Sequence, residues 1–541
     1  MPHVSLRSLF AAGLLALLGT ARLAAQPVIY TNGVVNSASY MAPGLPGAGI
    51  AQGSIFIVSG SGLGPSDPVP APGAFPLPTD LGGTSIAISS HGVISKAVML
   101  YASSGQLAAI LPSNVATGSA KLVVNFGGQS SDAYSFEVVS SAFGIFTFNQ
   151  QGFGQAVASD VNYRANTIVH TFHPGDPVIL WGTGIGAITT SDAGAPPVGS
   201  FGSVKVYVGD SEATVQYHGR SGCCAGVDQV VFDVPSDVEG CAVPVGVSAG
   251  GTMSNVATIA VSKTGSTCSD SILGSDLISK LAAGQKVTFG YLRFEEGLGG
   301  DIGFATFSEY TAETAGLANY GVSSGYCMSC QSGTLACGYG LNDLSPGQVN
   351  AGPFLTVNGF GRTINMLNVG GGDYFAVLNA SDGSRYLWGG RVYQMSGDGG
   401  TQIGPFSVDD TMNGTAPLIS SPSQSQTVSL QGSLTLQWTG GNPNLQNGLV
   451  TIGGVSFIDT ERSHYMELQC TAPLAPGQFT VPAWIIATLP KSAIMHNGNQ
   501  AIPLGYVWIG EADTPTAFQA FGLSKGIITN TFYLPRNVQF K

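Results

Sequence analysis

Charge is what this sequence has least of. Of its 541 residues only 19 are Lys or Arg and 31 are Asp or Glu, which leaves a formal net charge of −12. The cations are scattered and form no basic patch, which excludes the clustered phosphate contacts that a nucleic-acid partner requires. So small a charged fraction also argues against long solvated helices. Apolar runs long enough to span a bilayer are missing, since a helical span needs about twenty apolar residues. In their place stand 77 glycines and 30 prolines in a chain that is 44% hydrophobic, a composition of many short strands joined by tight turns. The fold class expected is all-β. A length of 541 residues is too great for one core and predicts about three to five domains.

Met1 to Pro27 reads MPHVSLRSLFAAGLLALLGTARLAAQP, with Arg7 ahead of an apolar run from Leu9 to Leu18 and small residues closing at Ala24-Ala25. This is the pattern of a cleaved signal peptide covering residues 1–25. No Cys follows to take a lipid, so a soluble mature chain is expected, secreted or at the cell surface or in the periplasm. Eight cysteines fit such an oxidising compartment. They fall into two regional sets, Cys223, Cys224, Cys241 and Cys268, then Cys327, Cys330, Cys337 and Cys470. All eight are disulfide candidates. Vicinal Cys223 and Cys224 are poorly placed to bond to each other, so each is expected to reach another partner, with Cys241 and Cys268 the nearest. Cys327-x2-Cys330 with Cys337 is a partial zinc pattern, but no second CxxC or nearby His completes four ligands.

An internal repeat organises the first half. Gly53–Gly64 reads GSIFIVSGSGLG and Gly175–Gly186 reads GDPVILWGTGIG, with five identities at an offset of 122 residues. At an offset of 123, Gln106 matches Gln229, Pro112 matches Pro235 and Gly128 matches Gly251. Two copies of one domain follow. Val204, Val206 and Val208 alternate with polar neighbours, the period of a strand with one buried face. GSGLG and GTGIG follow apolar strands, and their glycines suit backbone at positive φ. A phosphate loop would need GxGxxG opening a helix, or GK[ST], and neither is present.

The segments VVNSASYMAPGLPGAGIAQGSIFIVSGSGLGP, LPTDLGGTSIAI, GIFTFNQQGFGQAVA and GRSGCCAGVDQVVFDVPSDVEGC resemble the Solibacter-type C-terminal domain family of exported acidobacterial proteins, which is similar to immunoglobulin-like IPT/TIG domains. The resemblance covers about residues 34–261. It implies tandem β-sandwiches and no catalytic residues. The expected layout is therefore immunoglobulin-like domains at 27–145 and 146–262, a β-rich domain at 275–413 and a C-terminal β-sandwich at 416–541. One short helix is expected near Leu277–Ala283. A helical turn is expected after Pro482.

No constellation of catalytic residues emerges. Gly246-Val247-Ser248-Ala249-Gly250 and Gly321-Val322-Ser323-Ser324-Gly325 match GxSxG, but neither has the strand, turn and helix of a nucleophile elbow. His170 and His173 in HTFH would point to opposite faces of a strand, as would adjacent Glu295 and Glu296, so neither pair suits a shared metal or the facing carboxylates of glycoside hydrolysis. Asp382 and Asp398 suit turns. Trp181, Trp388, Trp438, Trp484 and Trp508 sit mostly in apolar strand contexts, which favours core packing over a sugar platform. No enzyme, cofactor or metal is assigned. The leading expectation is an exported structural and binding protein, with adhesion to an unknown surface protein or polysaccharide as its role. A carbohydrate-binding module is the alternative, decided by whether Trp388, Trp438 or Trp508 is exposed on a flat face. A secreted hydrolase would be favoured by carboxylates and His gathered in one pocket, a grouping the sequence does not show.

Overall fold

The computed structural model describes residues 26–541 apart from 271, 298–299, 318–321, 332–346, 415, 442–447 and 513–514. The expected leader and Cys337 lie outside the described residues. Among the described residues the protein is all-β, with α-helix confined to Gly274–Ala282 and the single turn Ala483–Ile486, the latter opened by Pro482 as its N-cap.

Two immunoglobulin-like two-sheet sandwiches come first. In the first, the sheet Val28–Asn36, Ile55–Ser61, Gln106–Ile110, Val98–Ala102 and Val69–Pro70 faces a second built on Tyr134–Val139, Gly118–Phe126 and Thr84–Ser90. Phe56, Val58, Ile86, Ile88, Leu107 and Leu122 fill the space between them. The second sandwich repeats this with Pro177–Thr183, Asp228–Asp233 and Val215–Arg220 against Val204–Val208, Gly240–Ala249 and Ala257–Val261. Its core includes Val206 and Val208, the inward members of the valine alternation. The repeat extends to register. Ile57 pairs with Ala108 and Ser59 with Gln106 in the first copy, while Ile179 pairs with Val231 and Trp181 with Gln229 in the second. The glycines after the repeated strands take positive φ, 63° at Gly62 and 112° at Gly184, which an L side chain accommodates poorly.

A buried ion pair couples the two sandwiches. Arg220 pairs with Asp228, and both are almost wholly enclosed. Arg220 Nη2 donates to the carbonyls of Gly53 and Gly186, both at 2.9 Å. Asp228 Oδ2 accepts from the N–H groups of Gly184 at 2.7 Å and Ile185 at 2.8 Å. The carbonyl of Gly53 belongs to the first sandwich and the remaining partners to the second, so one ion pair joins the residue that leads into the Ile55 strand of the first repeat to the turn that follows the Pro177 strand of the second.

The rest of the chain builds a 15-stranded sheet among the described residues. Val287–Gly297 pairs antiparallel with Gly300–Tyr310 and parallel with Lys525–Tyr533, and Cys327–Gln331 pairs with Tyr465–Pro473. Strands from 275–413 and from 416–541 thus share one sheet across the boundary read from the sequence. Among the described residues separate cores still flank it, one built on Leu355, Tyr374, Tyr393 and Met395, another on Leu436, Ile452, Leu468 and Ile485, and a third where the helix at Leu277 covers Val287, Phe289 and Ile527. The second of these cores also takes in Met41, Leu45, Phe153 and Val256 from the sandwiches. Trp484 stacks on Tyr207 at 5.8 Å and donates its indole N–H to the carbonyl of Gly209 at 3.0 Å.

Cys327 and Cys470 face each other across the strand pair and are bonded, as are Cys241 and Cys268, whose Cα atoms are 5.2 Å apart. Cys330 is also disulfide-bonded. Cys223 and Cys224 are joined to each other, contrary to expectation. The reason is spatial. Both occupy the exposed tip of the loop between Arg220 and Asp228, while Cys241 and Cys268 already lie within bonding distance of one another.

Replacing Arg220 with Met should leave the Asp228 carboxylate buried without its counter-ion and cost about 3–5 kcal/mol. Denaturant unfolding of the variant should show that loss, and Arg220→Met combined with Asp228→Leu should recover much of it. A loss under about 1 kcal/mol would mean that the pair does not hold the sandwiches together.

Candidate functional site

The candidate site lies on the C-terminal sheet. Along Leu449–Phe457, Tyr465–Pro473 and Gly505–Ala512 the residues Val450, Ile452, Met466, Leu468, Val507 and Ile509 point into the core. Period-two alternation then sends Thr451, Val455, Tyr465, Glu467, Gln469, Tyr506 and Trp508 to the opposite face, where they line a cleft of about 320 Å³ with Arg293, Glu295, Thr531 and Tyr533. Such a volume is at the small end of ligand sites.

Glycines shape the floor. A Cβ on Gly453 would collide with the Trp508 indole, and one on Gly297 with the Tyr533 ring. The rings therefore lie flat over neighbouring strands, stacked on each other with centroids 5.2 Å apart. Arg293 and Glu295, two residues apart on one strand, share this face, with Nη2 to Oε2 at 2.9 Å. Tyr533 donates its hydroxyl to the other Glu295 oxygen at 3.0 Å. At the mouth, the exposed Arg462 guanidinium sits 5.8 Å over Phe457 and 6.0 Å over Tyr506.

Glu467 is the electrostatic centre of the cleft. Protein surrounds it, though its side chain keeps partial contact with solvent through the cleft. Burial, followed by the nearby charge of Glu295, pushes its pKa up to about 8 against a smaller opposing pull from Arg293. Burial and the charges of Glu295 and Glu467 likewise push the Tyr533 hydroxyl well above its ordinary value. The floor thus holds the Arg293–Glu295 ion pair beside Glu467, whose raised pKa favours the neutral acid, a group that can both donate and accept a hydrogen bond.

The residues singled out in the sequence fall as follows. Glu295 and Glu296 do point to opposite faces, but Glu295 meets Glu467 from a distant strand, while Glu296 pairs with Arg385. Ser248 lies within a strand between Lys205 and Met253, leading into the Gly250-Gly251 turn. Gly246 of that motif is a packing site, since a Cβ there would strike Trp484. Ser323 Oγ accepts the Ala242 N–H at 3.0 Å. The expected strand at His170 and His173 is instead a series of turns and isolated bridges. Here the Asn166 side chain takes the place of a ladder partner, bonding the Ala260 backbone through both its oxygen and its nitrogen. His170 then faces Asp160 at 3.6 Å and His173 faces Asp176 at 3.1 Å. Asp382 caps its turn through the Ser384 N–H at 2.9 Å, and Asp398 is exposed. Among the described residues no group of three His, Cys, Asp or Glu is arranged to hold a metal, and no helix is long and apolar enough to cross a membrane. Trp438 and Trp484 are core residues; Trp388 is 47% exposed under Arg385. Of the three tryptophans named as decisive, Trp388 is the exposed one; Trp508 borders the cleft but is only 8% exposed, buried in a cluster with Val455 and Tyr533.

No family model matches the chain, and no curated protein matches it. Solved structures with partial similarity include domains 5–6 of the S-layer protein SbsC, at 14% identity over 44% of this chain and 100% of that one with a TM-score of 0.17. Chicken CNTN1 FN1–FN3 domains align at 11% identity over 68% of this chain and 96% of that one, with a TM-score of 0.15. The Escherichia coli adhesin FdeC aligns at 10% identity over 68% and 94%, with a TM-score of 0.14. These scores are too low to carry a functional argument.

Because the folded pKa of Glu467 lies above its unfolded value, this group favours the folded state most at acidic pH. Its contribution should decline as pH rises from about 4.5 to about 8. Unfolding midpoints measured across that window should show a downward component in the native protein that Glu467→Gln removes. An unchanged pH profile in the variant would place the titration elsewhere.

Proposed function

We propose that this chain is an exported, non-enzymatic structural and binding protein of the cell surface or extracellular space, and that its cleft binds carbohydrate. The proposal takes in the signal peptide and membership of the Solibacter-type family read from the sequence. One observation carries it. A cleft on the sheet face places the half-buried rings of Phe457, Tyr465 and Tyr506, backed by the buried pair Trp508 and Tyr533, beside an ion pair, the Glu467 carboxyl, an amide and several hydroxyls. Sugars present C–H faces that pack on aromatic rings, and hydroxyls that both donate and accept. The sandwiches, joined by Arg220 and packed against the same core as the sheet, support this role as a rigid mount. The partner is then a polysaccharide, and attachment to a glycan-bearing surface is the cellular role.

A second reading, a secreted hydrolase, is favoured by one specific feature. Glu295 is paired with Arg293, while the neighbouring Glu467 retains its proton, and two carboxyl groups pushed apart in this way are how acid and base roles are divided in glycoside cleavage.

Incubating the purified protein with insoluble polysaccharides and cell-wall preparations separates the two readings. The expected result is depletion of the protein from solution without release of soluble sugar. Tyr506→Ala should weaken retention by about tenfold, the usual scale for an aromatic contact that matters. Sugar release that Glu467→Gln abolishes would establish the hydrolase instead, and no depletion from any preparation would remove the carbohydrate reading.

A further inference from the structure

The lining of the cleft has a charge asymmetry that runs against the rest of the chain. Arg293 and Arg462 bring two cations, and Glu295 brings one anion. Glu467, facing them from the adjacent strand, is held in its neutral form at pH 7 by burial and by Glu295. The remaining titratable groups that face it are tyrosines, and burial raises the pKa values of Tyr465 and Tyr533. A chain of formal charge −12 thus carries a ligand cleft lined by one surplus positive charge.

The surplus charge is at the mouth. Arg462 is exposed, and its backbone is held at φ 58°, a left-handed conformation unusual for an arginine. The loop that imposes this is stapled by Asp459, which accepts from the N–H groups of Ser463 at 2.8 Å and His464 at 2.9 Å and from the Ser463 hydroxyl at 2.9 Å. Glu461, the other acid of the loop, accepts from Thr460 at 3.1 Å. Neither acid is in the lining. Arg462 Nη2 reaches the Tyr506 hydroxyl at 3.4 Å, so the guanidinium is parked over the aromatic wall at the entrance. Strained backbone that persists only because its surroundings impose it is a signature of a functional position.

We propose that the cleft selects acidic sugars, uronate residues of a polysaccharide, and that Arg462 is the residue that reads their carboxylate. The inference rests on the carbohydrate reading of the cleft. A guanidinium presents paired N–H donors that match a carboxylate in geometry and charge. While the sugar ring packs against the half-buried Tyr506, its carboxylate meets Arg462, and neutral Glu467 donates to a ring substituent below. Ionisation of Glu467 would cancel the surplus charge and repel the ligand.

Titration calorimetry of the full chain with a galacturonic-acid trimer and a galactose trimer, at pH 6.5 and pH 9, tests this. At pH 6.5 the acidic trimer should bind on the order of tenfold more tightly, the scale of a hydrogen bond to a charged group. Arg462→Gln should erase that preference, and Arg462→Lys should keep part of it. In the native protein the preference should shrink at pH 9, and Glu467→Gln should hold it constant between the two pH values. Equal affinity for both trimers would overturn the inference and leave the carbohydrate reading standing, as would a preference that survives in Arg462→Gln. Binding of neither trimer, with circular dichroism unchanged, would remove the carbohydrate reading and this inference with it.

Discussion

The parallel pairing of Val287–Gly297 with Lys525–Tyr533 is the constraint on which the C-terminal half depends. It sets Glu295 opposite Thr531 and Arg293 opposite Thr529, which brings the Arg293–Glu295 ion pair beside the ring of Tyr533. Parallel neighbours require a long connection, and here nearly the whole of the C-terminal half intervenes. Closing so long a loop is slow and entropically costly, so other pairings must hold the ends in place. The Cys327–Cys470 bond does so within the same sheet by locking Cys327–Gln331 against Tyr465–Pro473. If the parallel pair slipped by one residue, Arg293 and Glu295 would turn into the core and Phe294 would turn out.

That dependence explains what could be read in advance and what could not. The sandwiches were legible because their information is local and repeated: the strands at Ile55 and Pro177 carry the same glycine endings, and their partners at Gln106 and Gln229 recur at the same spacing and in the same register. The helix near Leu277 and the turn after Pro482 were legible for the same reason. The shared sheet had no such signal, since no local pattern specifies that residue 291 should lie beside residue 527. Glu467 was concealed in the same way. In YMELQC it alternates with buried Met466 and Leu468 as any surface residue of a half-buried strand would, and only the arrival of Glu295 from a remote strand gives it a distinctive environment. The pairing of Cys223 with Cys224 depended on a competition that sequence does not show, namely that Cys241 and Cys268 already satisfy one another.

The cleft is costly to build. Arg293, Glu295 and Glu467 would each be cheaper in water, and replacing buried ion pairs by apolar side chains is often neutral or stabilising. Gly453 and Gly297 surrender side-chain packing in two central strands so that Trp508 and Tyr533 can lie flat. Arg462 adds backbone strain at the mouth. A sheet face selected for stability alone would carry none of these features, and their convergence on one hollow is the physical ground for treating it as a site rather than as an accident of the surface.

Rigidity then becomes the link between the two halves of the molecule. The back of the cleft sheet is not free, because Ile452, Leu468 and Ile509 belong to a core that also contains Met41, Leu45, Phe153 and Val256. Gln331, at the end of the strand that carries Cys327, donates to the Tyr40 carbonyl and accepts from the Ala42 N–H, both at 2.7 Å. Through Gly53 and Arg220 the two sandwiches are in turn fixed to each other. The strands bearing Glu467 and Trp508 therefore rest on a braced support and not on a flexible linker. A preformed site loses less freedom on binding than one that must be ordered by its ligand, so on the proposed carbohydrate reading the tandem sandwiches would contribute to affinity at the cleft without touching the ligand.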